Sequence, residues 1–152
     1  MHRILCALVV FSLFAGCARD KPGDGPSLAH WSLTERRFTS LAYQAKEAAD
    51  AVRVLRFLVR EFEIEAKRPK PENGIHDAVW VNRLRLAAAT YASGEKDQAL
   101  TLIDQSVSER LQHAATPDEL SSGRKDAKQW IVHDITFHHP AWGASVILDF
   151  TQ

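Results

Sequence analysis

Cysteine is nearly absent from this 152-residue chain: only Cys6 and Cys17 occur. Two cysteines could make one disulfide, yet Cys6 lies in an apolar N-terminal run. With that run removed no internal pair remains, so the core must hold by packing. Charge of one sign is also lacking. Nineteen basic residues face nineteen acidic ones, and removal of Arg3 with the N-terminus leaves one fewer basic than acidic. Such a chain has no long-range pull toward nucleic acid. Long hydrophobic runs are missing too. Residues 4–14 are free of charge, but as a helix they span only about 16 Å, and a bilayer needs about 20 apolar residues. No G-x-S-x-G or S-x-x-K nucleophile motif and no phosphate-binding glycine loop occurs. Glu61, Glu63 and Glu65 read as a solvated helix face. These absences favour a non-enzymatic protein without a cofactor.

Met1, His2 and Arg3 precede the apolar run, and the small residues Ala15 and Gly16 lead into Cys17. A charged start, a short apolar stretch and small residues make a signal peptide. Phe14, Ala15, Gly16 and Cys17 resemble the lipobox of bacterial lipoproteins, with Phe14 where that family usually has leucine. The resemblance covers residues 1–17. It implies cleavage before Cys17 (residues 1–16 removed), a diacylglycerol on the Cys17 sulfur, and a membrane anchor. Ala18 after the cysteine implies the outer membrane, facing the periplasm, in a Gram-negative cell. An ordinary signal peptide cut after Ala18, with Gly16 at the −3 position, is the second reading, and a buried N-terminal helix the third.

Residues 17–31 read as lipidated cysteine plus tether. Residues 18–30 hold two prolines and two glycines and have a coil reach of about 20 Å. A single domain over 32–152 follows. Ser32 and Glu35 suggest a capping box. Phe38, Leu41, Ala45, Ala48, Val52, Leu55, Val59 and Phe62 then recur at alternating spacings of three and four, one stripe of a helix. No proline or glycine interrupts until Pro69 and Pro71. The expectation is one helix over about 32–68, roughly 50 Å long. Its stripe is either wrapped by neighbouring helices or free as a seam for another chain. Asn73-Gly74 marks a turn. A helical hairpin is expected over about 77–112, capped by Asp77, turning at Gly94, with Trp80, Leu84, Ala87, Ala88 and Tyr91 facing Ala99, Leu100, Ile103, Val107 and Leu111. Leu86-Ala87, Gly94, Ala99 and Ile103 resemble one tetratricopeptide-type hairpin, with Lys96 where that family has an aromatic and no second copy.

Thr116-Pro117-Asp118-Glu119 reads as a helix start, stopping near Ser122 because Gly123 follows. In the tail, Ala144, Val146, Leu148 and Phe150 alternate with Ser145, Ile147 and Asp149, the period of a half-buried strand. With residues 129–137 this suggests a β-hairpin over 129–151; a helix over 124–135 is the alternative for its first half. The fold class expected is therefore mainly α: a long N-terminal helix packed on a helical hairpin, with a C-terminal β-hairpin.

His133, Asp134, His138 and His139 form the one cluster of metal-competent side chains. Their spacing matches no zinc motif, and no metal is assigned; His133, His138 and His139 are the weak candidates. Trp142, in the expected turn, either folds back on the core or stands out as an interface anchor. Phe38, Leu41, Ala45 and Trp142 are thus the candidate interaction surface, and Cys17 the lipidation site. The sequence points to an envelope lipoprotein that binds another envelope protein. Alternatives are a small hydrolase or metal-binding protein using the C-terminal histidines, and a structural lipoprotein that forms homo-oligomers through the 38–62 seam.

Overall fold

A computed structural model describes residues 28–111 and 116–151. The expected signal peptide, the expected lipidation site Cys17 and most of the expected tether lie outside the described residues. Among the described residues there are six helices: α1 Leu28–Gln44, α2 Ala48–Ala66, α3 Ile75–Ala92, α4 Lys96–Leu111, α5 Pro117–His138 and α6 Ala144–Thr151.

The single helix expected over 32–68 is instead two. The chain leaves the helix at residues 45–47, with Glu47 extended at φ −105°, ψ 135°, and α2 runs back antiparallel along α1. Trp31 meets Phe62 edge-on with ring centroids 5.1 Å apart, and Phe38 stacks on Phe57 at 5.3 Å. The apolar stripe is continuous because its two halves face each other. Folding back buries Phe62, Leu55 and Leu58 almost completely, at about 25 cal/mol per Å² of apolar surface removed from water, which a lone 50 Å rod would leave exposed. Ser32 is no cap: α1 begins at Leu28, so residues 28–31 of the expected tether are helical and Trp31 is buried.

Helix α3 occupies the centre. Leu84, Leu86, Ala87, Ala88, Ala89 and Thr90 are all buried, and burial on nearly every side is the mark of a central helix. It packs chiefly on α2 and α4. Gly74, left-handed at φ 82°, is its N-cap, and Asp77 lies within the first turn. Gly94, at φ 97°, turns the chain into α4, a conformation that glycine adopts without steric cost. Leu100 stays partly exposed, whereas Ala99, Ile103 and Val107 are buried.

The C-terminal β-hairpin is not formed: among the described residues no strand occurs, and 129–151 is helix, turn and helix. Thr116 and Glu119 close a reciprocal capping box, and α5 continues straight through Gly123. A Cβ there would lie 3.2 Å from Cγ2 of Val107, 3.4 Å from its Cβ and closer still to Cγ1. The glycine lets α5 approach α4 rather than ending the helix. His139, left-handed at φ 49°, caps α5. In α6, Val146 is buried while Ile147 and Phe150 pack half-buried on the core. That 146, 147, 150 spacing fits a helix, and the apparent alternation came from the exposed Leu148.

Candidate polar cleft between α1, α3 and α5

Helix α1 packs on α2 but stands off α3, leaving an open cleft of about 520 Å³ lined by Ser32, Glu35, Arg36, Thr39, Ser40, Tyr43, Gln44, Arg85 and His138. Arg85 sits at its floor on α3. Its Nη1 donates to Glu35 Oε1 at 2.8 Å and to Asn82 Oδ1 at 3.1 Å, while Nε and Nη2 each reach Asp134 at 3.4 Å. Asn82 donates to Glu35 Oε1 at 3.0 Å and to the Ala78 carbonyl at 2.8 Å. The Tyr43 hydroxyl donates to Asp134. One guanidinium therefore ties α1, through Glu35, to α5, through Asp134.

The electrostatics follow from burial. Desolvation opposes the Arg85 charge, but Asp134, Tyr43 and Glu35 outweigh it and hold the guanidinium's pKa above its usual value. Burial, then the neighbouring Asp134 charge, pushes the Tyr43 phenol far above its usual range, so at physiological pH it is a fixed donor. His138 stacks on Tyr43 with centroids 4.5 Å apart. Its Nε2 lies 3.7 Å from Asp134 Oδ1, beyond hydrogen-bond range. Thr39 is buried on α1, and its hydroxyl finds no partner among the described residues.

The histidines do not gather. His133 is exposed on α5, His138 lies against Tyr43, and His139 caps the helix. Among the described residues no three metal-competent groups converge. Trp142 is buried and its indole donates to the Ala42 carbonyl at 3.1 Å, so it pins the α5–α6 turn to α1 instead of standing out as an anchor. Phe38 is half-buried on Phe57, Ala45 is half-buried in the α1–α2 turn, and Leu41 is exposed. The four residues of the candidate surface therefore do not form one face. Of the three glutamates read as solvated, Glu65 is buried beside Arg68 (2.9 Å), and Glu63 pairs with Arg83 at 2.6 Å. Arg83 also binds Glu109.

Sequence reasoning gave Glu35 the role of a helix cap, whereas it binds Asn82 and Arg85, and it passed over Tyr43, Asn82 and Arg85. The available signal was the N-R-L-R polar interruption, Asn82 to Arg85, within the otherwise apolar 79–89 stretch. Polar groups in a helix buried on nearly every side need partners.

No protein-family profile, no curated protein and no solved structure matches this chain.

Proposed function

We propose that the chain is a lipid-anchored lipoprotein of the bacterial cell envelope, on the periplasmic face of the outer membrane, and that it is a non-enzymatic binding module for another envelope protein. The anchor rests on the 1–17 segment, with Cys17 as the acylated residue. The observation that carries the binding reading is the self-pairing of the cleft floor. Arg85, Glu35, Asn82, Asp134 and Tyr43 engage one another. These groups stiffen the cleft instead of waiting for a reacting atom. Ser32, Arg36, Ser40 and Gln44 on the α1 side are exposed and offer donors and acceptors to a polar segment of a partner. The α3–α4 helical hairpin, whose Leu86-Ala87, Gly94, Ala99 and Ile103 resemble one tetratricopeptide-type hairpin, supports a scaffold role.

The test is photo-crosslinking in intact membranes from position 40. The proposal expects a discrete protein adduct from a crosslinking residue replacing Ser40, lost when Arg36→Glu and Gln44→Leu are added. Equal adducts from the exposed position 126 on α5, or no adduct from position 40, would contradict it.

The hydrolase or metal alternative draws nothing from the dispersed histidines. The self-association alternative needs the 38–62 seam, and that seam is occupied internally by the Phe38–Phe57 and Trp31–Phe62 contacts.

A further inference from the structure

The α1–α2 hairpin has a second face, on the side away from α3. Glu35 and Tyr43 point α1 toward the cleft, and Arg37 lies 200° round the helix from Glu35 at ~100° per residue. Leu41 follows one turn on, and both are exposed. On α2, Leu55 is buried, and Arg53, Arg56, Arg60 and Ile64, at spacings of three and four, fall about 100–180° round the helix from it and are exposed, as is Lys67 at the C-cap. Asp50 neutralises Arg53 at 3.1 Å. Arg37, Arg56, Arg60 and Lys67 have no ion-pair partner among the described residues. The exposed apolar residues Leu41 and Ile64 accompany them, 45% and 51% accessible. The acidic residues of α2 that flank this face are Asp50, taken up by Arg53, Glu63, taken up by Arg83, and half-buried Glu61. A nearly neutral protein thus carries a local excess of unpaired cations with apolar side chains among them.

We infer that this face of α1 and α2 docks on the headgroup layer of an anionic bilayer. The inference rests on the anchor at Cys17 proposed above, which limits the distance. Ten residues, 18–27, join Cys17 to the first residue of α1, and even fully extended they reach about 35 Å. Helix α2, of 19 residues, is about 28 Å long. The whole face lies within reach of the membrane that holds the anchor. Cations beside a lipid chain supply the second signal that firm attachment needs, and each is worth about a fivefold change in the docked-to-undocked ratio.

The experiment uses the protein purified from membranes and reconstituted in vesicles. An environment-sensitive fluorescent amino acid replaces Leu41, or Leu148 on α6 as a control, and nitroxide-labelled lipid is the quencher. In vesicles of one part phosphatidylglycerol to two of phosphatidylcholine, the probe at 41 is quenched and the probe at 148 is not. Quenching at 41 disappears in pure phosphatidylcholine and at about 1 M salt, where the Debye length is ~3 Å. Arg37→Gln, Arg56→Gln and Arg60→Gln together lower the docked-to-undocked ratio about a hundredfold, while Lys125→Gln on α5 leaves it unchanged. A probe at 41 that stays in water on the anionic vesicles overturns the inference and leaves an acidic protein as the partner for this face. Quenching that survives the triple substitution overturns it as well. Intact mass on the same sample reports the anchor separately. A lipidated Cys17 with no quenching at 41 defeats the docking alone. An unlipidated chain that still shows salt-sensitive quenching when added to vesicles defeats the anchor alone.

Discussion

Asp134→Ala removes the carboxylate that joins α5 to the cleft. Asp134 is buried, accepts from the Tyr43 hydroxyl and faces Arg85 through both of its oxygens. The substitution leaves the Tyr43 hydroxyl without its acceptor, at a cost of about 1–3 kcal/mol. Breaking a buried ion pair outright costs about 3–5 kcal/mol, but Arg85 keeps Glu35 at 2.8 Å, so the charge is only partly orphaned. The expected loss is about 3 kcal/mol. With a urea m-value of ~1–3 kcal/mol/M, the unfolding midpoint falls by about 1–3 M at unchanged m. The cycle partner is Tyr43→Phe, which costs about 1 kcal/mol in the native background and close to nothing beside Asp134→Ala, because the hydroxyl it deletes is already unpaired. Replacing the trio by Tyr43→Phe, Arg85→Met and Asp134→Leu recovers much of the loss, since apolar substitutes of similar volume carry no desolvation penalty. Urea titration followed by circular dichroism and tryptophan fluorescence reads all four variants. A cost for Asp134→Ala below about 1 kcal/mol, or a Tyr43→Phe effect that is undiminished beside it, would refute the reasoning that these groups form one buried unit.

Other perturbations probe separate parts of the fold. Gly123→Ala gains helix propensity of ~1 kcal/mol but drives a methyl into Val107, an overpacking cost of ~1–3 kcal/mol. A net loss of about 1 kcal/mol is expected, relieved when Val107→Ala is added, and stabilisation by Gly123→Ala alone in urea unfolding would contradict the close α4–α5 approach. Thr116→Ala removes the cap acceptor of α5 and costs about 1 kcal/mol by the same assay. Tyr43 keeps its proton in the fold because of burial and the Asp134 charge. Its contribution is therefore complete below the unfolded phenol value near ~10 and is lost as pH rises beyond it. Phenolate absorbance of this tyrosine should appear together with unfolding, and Tyr43→Phe should flatten the alkaline stability loss. Asp149 is held below its ordinary 3.8 by the hydrogen bond from Lys96, then by that from Tyr91. Its contribution is present above that value and lost as pH falls through the lowered one; Asp149→Asn should remove that acid-side slope in stability.

The sequence made some of these features legible and concealed others for identifiable reasons. The α3–α4 hairpin was readable because Gly94 stands at a position needing positive φ, between two runs of helical period. The helix start at Thr116 was readable because Pro117 follows it at the first helical position. The break at residues 45–47 carries no proline or glycine, and the stripe keeps its phase across it; only the pairing of Phe38 with Phe57 shows that the two halves meet. Gly123 reads as a stop by propensity, yet it serves contact with Val107, a neighbour sixteen positions away in sequence. The tail was ambiguous because eight residues of mixed apolar and polar character fit both periods; packing of Val146 and Phe150 on the core decides for helix. The cleft stayed hidden for a related reason. Glu35, Tyr43, Arg85 and Asp134 come from three helices, and no local pattern links them.

The most direct test of the account is the intact mass of the protein purified from membranes, beside a Cys17→Ser variant. The account predicts a lipid-sized addition on a chain that begins at Cys17, with both the addition and membrane association lost in the variant. An unmodified chain beginning at Arg19, recovered in the soluble fraction, would contradict it.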